Sequence, residues 1–183
     1  SCYWDCYNHN DGPTVAEMTA GRLLSPLFGS LTIVISYLIG KILFNRQVGI
    51  AFSLLFLFYD LWIWYSRTIM TEVHYIFFSM LSFLFLLYAF KAERLKIKYF
   101  ISSAFLFGLA LSTKILAVEF SVLFLGVIVC GTLYKSGTNY THGKRSLSKI
   151  TLLIVIFFAL SALSLFLSEP MFYQNPLKEI TVM

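Results

Sequence analysis

Six apolar runs, separated by short polar turns, limit what this chain can fold into. They occupy 23–44, 49–65, 73–90, 97–113, 115–133 and 150–167. Several are long enough for a hydrocarbon core of ~30 Å, which takes ~20 residues of helix to cross. A soluble domain could not hide this much apolar surface. The sequence is 58% hydrophobic and 13% charged, with 19 Phe and 11 Tyr, where soluble chains run nearer about 25% charged. A signal peptide does not explain the pattern, because there are several such runs and the first begins beyond residue 20. The expected fold is all-α, a polytopic transmembrane helical bundle of about six crossings.

Polar segments divide the chain further. Segment 1–22 is Asn-, Asp- and Cys-rich and reads as an outer, non-cytoplasmic loop; 23–167 is the bundle; 168–183 is a second outer segment, with Pro170 and Pro176. From 99 to 133 the chain is apolar except at Ser112-Thr113-Lys114 and Glu119. One helix of that length would be far too long, so two crossings with a tight break at Lys114 are expected. The first of them is short enough for a re-entrant segment to be an alternative. The chain starts at Ser1, without an initiator Met, inside a polar loop, and is expected to be a piece of a longer polypeptide.

Charge placement gives an orientation. Three turns on one side hold Lys41 and Arg46, then Lys91, Arg94, Lys96 and Lys98, then Lys135, Lys144, Arg145 and Lys149, ten of the fourteen basic residues. The positive-inside rule puts those turns in the cytoplasm. Of nine acidic residues, Glu93 alone falls on that side. The net charge of +5 therefore orients the protein in a bilayer and does not point to nucleic acid. Three cysteines add little: Cys2 and Cys6 could pair on an oxidising side, and Cys130 is read as a packing residue. Cys2, Cys6, His9 and Asp11 match no strong zinc spacing. The Asn139-Tyr140-Thr141 sequon and His142 lie in a loop that the charge rule makes cytoplasmic.

The functional signal is the segment 60–72, which sets Asp60, Arg67 and Glu72 between apolar runs. Charged side chains at membrane depth cost ~2.5–3.5 kcal/mol each on insertion scales, and they mark sites or the support of sites. Asp60, Arg67, Glu72, His74, Lys114 and Glu119 all fall near the outer ends of crossings two to five. Such a mixture suits a reaction in which a phosphate leaves and a hydroxyl attacks: cations neutralise phosphate oxygens, and a carboxylate accepts a proton. Local structural pairing of these residues, or plain anchoring at the headgroups, is the competing explanation.

Two segments resemble the membrane glycosyltransferases that use polyprenyl-phosphate sugars, the protein O-mannosyltransferase and aminoarabinose-transferase-like (GT-C) superfamily. The first is Arg22-Leu23-Leu24-Ser25-Pro26-Leu27-Phe28-Gly29, running on through Ser36-Tyr37-Leu38-Ile39-Gly40-Lys41 to Ser66-Arg67-Thr68-Ile69-Met70-Thr71-Glu72. The second is Gly108-Leu109-Ala110-Leu111-Ser112-Thr113-Lys114, similar to that family's Gly-Leu-Ala and Thr-Lys after a basic loop. The resemblance implies a GT-C-like bundle that takes a mannose-like sugar from a polyprenyl or dolichyl phosphate donor. The sugar goes to a protein or lipid hydroxyl at the outside or lumenal face of the plasma membrane or the ER. It places Glu72 at the second acidic position of the catalytic cavity. Arg67 and Lys114 become phosphate-binding cations, with His74 and Asp60 as further substrate-binding residues. A divalent cation, Mg or Mn, is a candidate cofactor at Glu72. The family's first catalytic Asp follows a preceding transmembrane helix; that helix is not part of this sequence, and the Asp is expected to be missing with it. Asp5 and Asp11 are poor substitutes, and His9-Asn10-Asp11-Gly12-Pro13 is a distant echo of the family's His-Pro-Pro element. The alternative function is a non-catalytic membrane subunit of a larger complex, or a small transporter-like bundle.

Overall fold

The structure, a computed structural model, describes residues 15–68, 71–91, 95–137 and 143–168. Among these residues every regular element is a helix. In chain order they are α1 (Val15–Leu43), α2 (Arg46–Phe58), α3 (Asp60–Arg67), α4 (Thr71–Lys91), α5 (Ile97–Thr113), a 3-10 turn (Ile115–Phe120), α6 (Ser121–Gly137) and α7 (Gly143–Ser168). Residues 1–14 and the tail from 169 lie outside this description. So do the sequon and His142, and with them the Cys2–Cys6 pair and the metal question at His9 and Asp11.

Helix α1 begins at Val15, ahead of its apolar part, whose candidate span is Arg22–Leu43. Ala16, Glu17, Met18 and Ala20 are good helix formers and extend the apolar helix backwards. Pro26 sits inside α1; it removes one N–H, and in this position the helix continues past it. Among the described residues the candidate crossings number fewer than the six expected. Four helices are long and apolar enough, Arg22–Leu43, Thr71–Lys91, Leu116–Tyr134 and Ile150–Ser168, and a fifth span results if α2 and α3 count as one. Those two meet at a bend of 61°, where Tyr59 is extended. The remaining helix, α5, has 17 residues, a length of ~26 Å that falls short of the ~30 Å core.

The bundle is a membrane bundle by its surface as well as its length. Of each spanning window only 17% to 44% is buried inside the protein, so the outward Leu, Val and Phe side chains have lipid as their solvent. Hydrophobic sequestration from water cannot drive helices together there; close van der Waals approach and interhelical hydrogen bonds do. Short α5 shows how. It runs through the middle of one half of the molecule with Ser103, Ala104, Gly108 and Ala110 buried. Ser82 on α4 and Ser103 on α5 each donate to the other's carbonyl oxygen at 2.7 Å. From α7, Ser161 donates to the Ala104 carbonyl at 3.0 Å and Ser164 to that of Phe105 at 2.8 Å. Gly108 lies so close to α7 that a Cβ there would overlap the Ser161 carbonyl oxygen. Beneath these contacts Phe107, Phe124 and Phe157 are fully buried, with ring centroids 4.6, 5.4 and 5.9 Å apart.

The other half is an α1–α2 hairpin. Asn45 caps α2, accepting from the Val48 N–H at 2.9 Å, and Gly40 and Gly49 let the two backbones touch, since a Cβ on Gly40 would stand 2.8 Å from the Gly49 Cα. The two halves meet where α4 packs against α1 through Ile35, Ile39, Phe77, Leu84 and Leu87.

Candidate active site

Glu72 stands in the first turn of α4, where a carboxylate complements the positive end of the helix dipole. Lys114 is where α5 stops. Ser112 and Thr113 turn their hydroxyls back onto the carbonyls of Leu109 and Ala110, at 2.9 and 2.7 Å, a habit of Ser and Thr that loosens a helix end. Lys114 then takes an extended conformation before the 3-10 turn begins. This break aims the lysine side chain across to α4. Its Nζ donates to Glu72 Oε1 at 2.5 Å, joining residues 42 positions apart. The side chains are 28% (Lys114) and 24% (Glu72) exposed, so the pair can be reached from solution.

Tyr75, one helical turn after Glu72, places its ring under the same ammonium, 5.8 Å from Nζ to the centroid. Tyr65 of α3 also lies within electrostatic reach of Lys114, and Glu119 within reach of Tyr75. The hydrogen bond to the Glu72 carboxylate holds the Lys114 ammonium above the usual lysine range, against a smaller opposing effect of desolvation. A lysine whose pKa is raised by folding adds stability that is fully present below its ordinary value of 10.5 and is lost as pH rises beyond it. Lys114 therefore carries its charge at neutral pH.

The other residues expected at the site make contacts of their own. Asp60 and Arg67 sit at the two ends of α3 and line an open groove of about 390 Å³ with Leu61, Ile63 and Trp64. The His74 ring meets the edge of Phe28 on α1, with centroids 5.1 Å apart. Within segment 60–72, then, Glu72 is ion-paired with Lys114, while Asp60 and Arg67 line the groove along α3. α3 is held by Trp62, whose indole N–H donates to the Gly29 carbonyl at 3.4 Å, and by Ser66, which packs against Gly29 so closely that a Cβ on the glycine would meet its side chain at 2.7 Å. Sequence reasoning missed Tyr75. Its position three residues after Glu72, hence on the same helix face, was the available signal.

Among the described residues no three His, Cys, Asp or Glu side chains gather to hold a metal ion, and the Glu72 carboxylate faces an ammonium. What the arrangement offers is a carboxylate and a cation side by side at one end of the bundle, backed by two phenols. An apolar all-helical bundle with this pairing at a helix break is an integral multi-pass membrane protein. Residues 1–174 match the family described as dolichyl-phosphate-mannose-protein mannosyltransferase. The chain belongs to that family, and with it to the membrane mannosyltransferase type of glycosyltransferase. No significant match was found among curated proteins or among solved structures.

Proposed function

We propose that this chain carries part of the catalytic cavity of an enzyme that moves mannose from dolichyl-phosphate mannose to a protein hydroxyl, on the non-cytoplasmic face of the ER or plasma membrane. The family description names such a donor and a protein acceptor and so supports this reading, and the concentration of basic residues in the opposite turns supports the face. One observation carries the reading: Glu72 and Lys114, from separate helices, meet at one end of the bundle. Lys114 neutralises the phosphate that leaves as the bond from sugar carbon to phosphate oxygen breaks. Glu72 accepts the proton of the attacking hydroxyl. Arg67, from the adjacent groove, meets the phosphate from the α3 side; Asp60 and His74 line the approach. A divalent cation at Glu72 would need ligands from beyond the described residues, and no step here passes through one.

The test is transfer from dolichyl-phosphate mannose to a Ser/Thr peptide by the protein in native-like membrane. Glu72→Gln is expected to cut turnover by roughly 100-fold or more, the lower range of general-base effects, with the thermal midpoint little changed. Unchanged turnover overturns the assignment. The division of charges favours a second reading, a non-catalytic subunit in which Glu72 and Lys114 simply tie α4 to α5. It predicts the reverse outcome, a lower thermal midpoint with no transfer activity to lose.

A further inference from the structure

Two roles compete for one contact. On the reading above, which this inference rests on, Lys114 must give its ammonium to a donor phosphate and Glu72 must offer a free carboxylate to an acceptor hydroxyl. In the structure each holds the other, at 2.5 Å. A carboxylate oxygen that already accepts from an ammonium is engaged and less able to accept from a hydroxyl. Nor can phosphate simply join the pair, since a second anion on the same ammonium would stand within a few Å of Glu72 and repel it. Exchange is easy by contrast. Both side chains are about a quarter exposed, and Lys114 projects from an extended residue between two helical segments. The Tyr75 ring gives the ammonium a second, neutral neighbour that stays in place when its anion changes.

We propose that the Glu72–Lys114 ion pair is a resting latch that the donor's phosphate opens. Arrival of the phosphate draws Lys114 off the carboxylate and so frees Glu72 as a base only once the sugar donor is seated. The latch imposes an order, donor before acceptor.

Dolichyl phosphate serves as the probe, with its affinity for the full chain in nanodiscs measured for the wild type, Glu72→Gln, Lys114→Gln and the double variant. Glu72→Gln is expected to bind roughly twofold to fivefold tighter than the wild type, the scale on which a partly exposed ion pair competes. That gain should vanish in the Lys114→Gln background. Tightening that persists without Lys114 would be general relief of negative charge and overturns the latch; weaker or unchanged binding by Glu72→Gln overturns it as well. The underlying functional reading fails separately, if Lys114→Gln alone leaves dolichyl phosphate affinity unchanged. Thermal unfolding checks each variant, and Glu72→Ser takes the place of Glu72→Gln if the latter does not fold.

Discussion

The half built on α4, α5 and α7 and the half built on α2 and α3 solve the same problem in different ways. In the first, serine hydroxyls, small residues and three stacked phenylalanines lock the helices backbone to backbone. In the second, α2 rests on α1 with Leu54, Leu55, Leu57 and Phe58 exposed to lipid, and α3 follows after a sharp bend. The charges follow the same division. Glu72 and Lys114 stand at the end of the locked half and meet in an ion pair, while Asp60 and Arg67 belong to the other and face an open groove. Precise placement of reacting groups needs rigid support, and only the locked half provides it. The charged segment 60–72, continuous in sequence, thus serves two elements, α3 with its groove and the start of α4 with its ion pair.

If that comparison is right, damage to the locked half should be costly and damage to the α3 groove cheap. Phe107→Ala opens a cavity between Phe124 and Phe157 and is expected to cost about 3–5 kcal/mol, seen as a large fall in the thermal midpoint in detergent. Gly108→Val forces a side chain against the Ser161 carbonyl and should cost about 1–3 kcal/mol or more; the same melt, together with loss of transfer activity, reads it. Ser82→Ala leaves the Ser103 hydroxyl its bond to the Ser82 carbonyl while the reciprocal bond is lost, and should cost about 0.6 kcal/mol, the average for interhelical hydrogen bonds in membranes. Asp60→Asn, on an exposed helix end, should stay within about 0.5 kcal/mol of the wild type. A melt shift for Asp60→Asn as large as that for Gly108→Val would dissolve the distinction between the halves.

Much of the architecture was legible because a bilayer leaves few choices. Runs of apolar residues near 20 long must be helices when water is absent from their surroundings, and the polar Ser112-Thr113-Lys114 marks a place where such a helix stops. The count of spans was less legible. Nothing in Phe58-Tyr59-Asp60 is a glycine or proline, yet the chain bends there, because Trp62 and Ser66 are pulled onto Gly29 of α1. Long-range packing made that bend, and no local signal announces it. The site was legible in its residue types and only partly in its grouping. Glu72 and Lys114 stood out as charges among apolar neighbours, but so did Asp60, Arg67 and His74, and sequence spacing had no means of separating them. Tyr75 is one aromatic among many in the sequence, and only the Lys114 ammonium above its ring sets it apart.

By itself, then, the sequence determined a multi-pass helical membrane protein with its cations gathered in one set of turns, and its motifs already resembled the polyprenyl-phosphate glycosyltransferases. These follow from hydration, which penalises each charge or bare peptide group in hydrocarbon wherever it falls in the chain. Tertiary structure alone decided that Lys114 meets Glu72 and not Asp60, since that depends on a helix break in one half and a bend in the other. Contacts of a few ångströms across 42 positions are set by how backbones pack, and packing is a property of the assembled bundle.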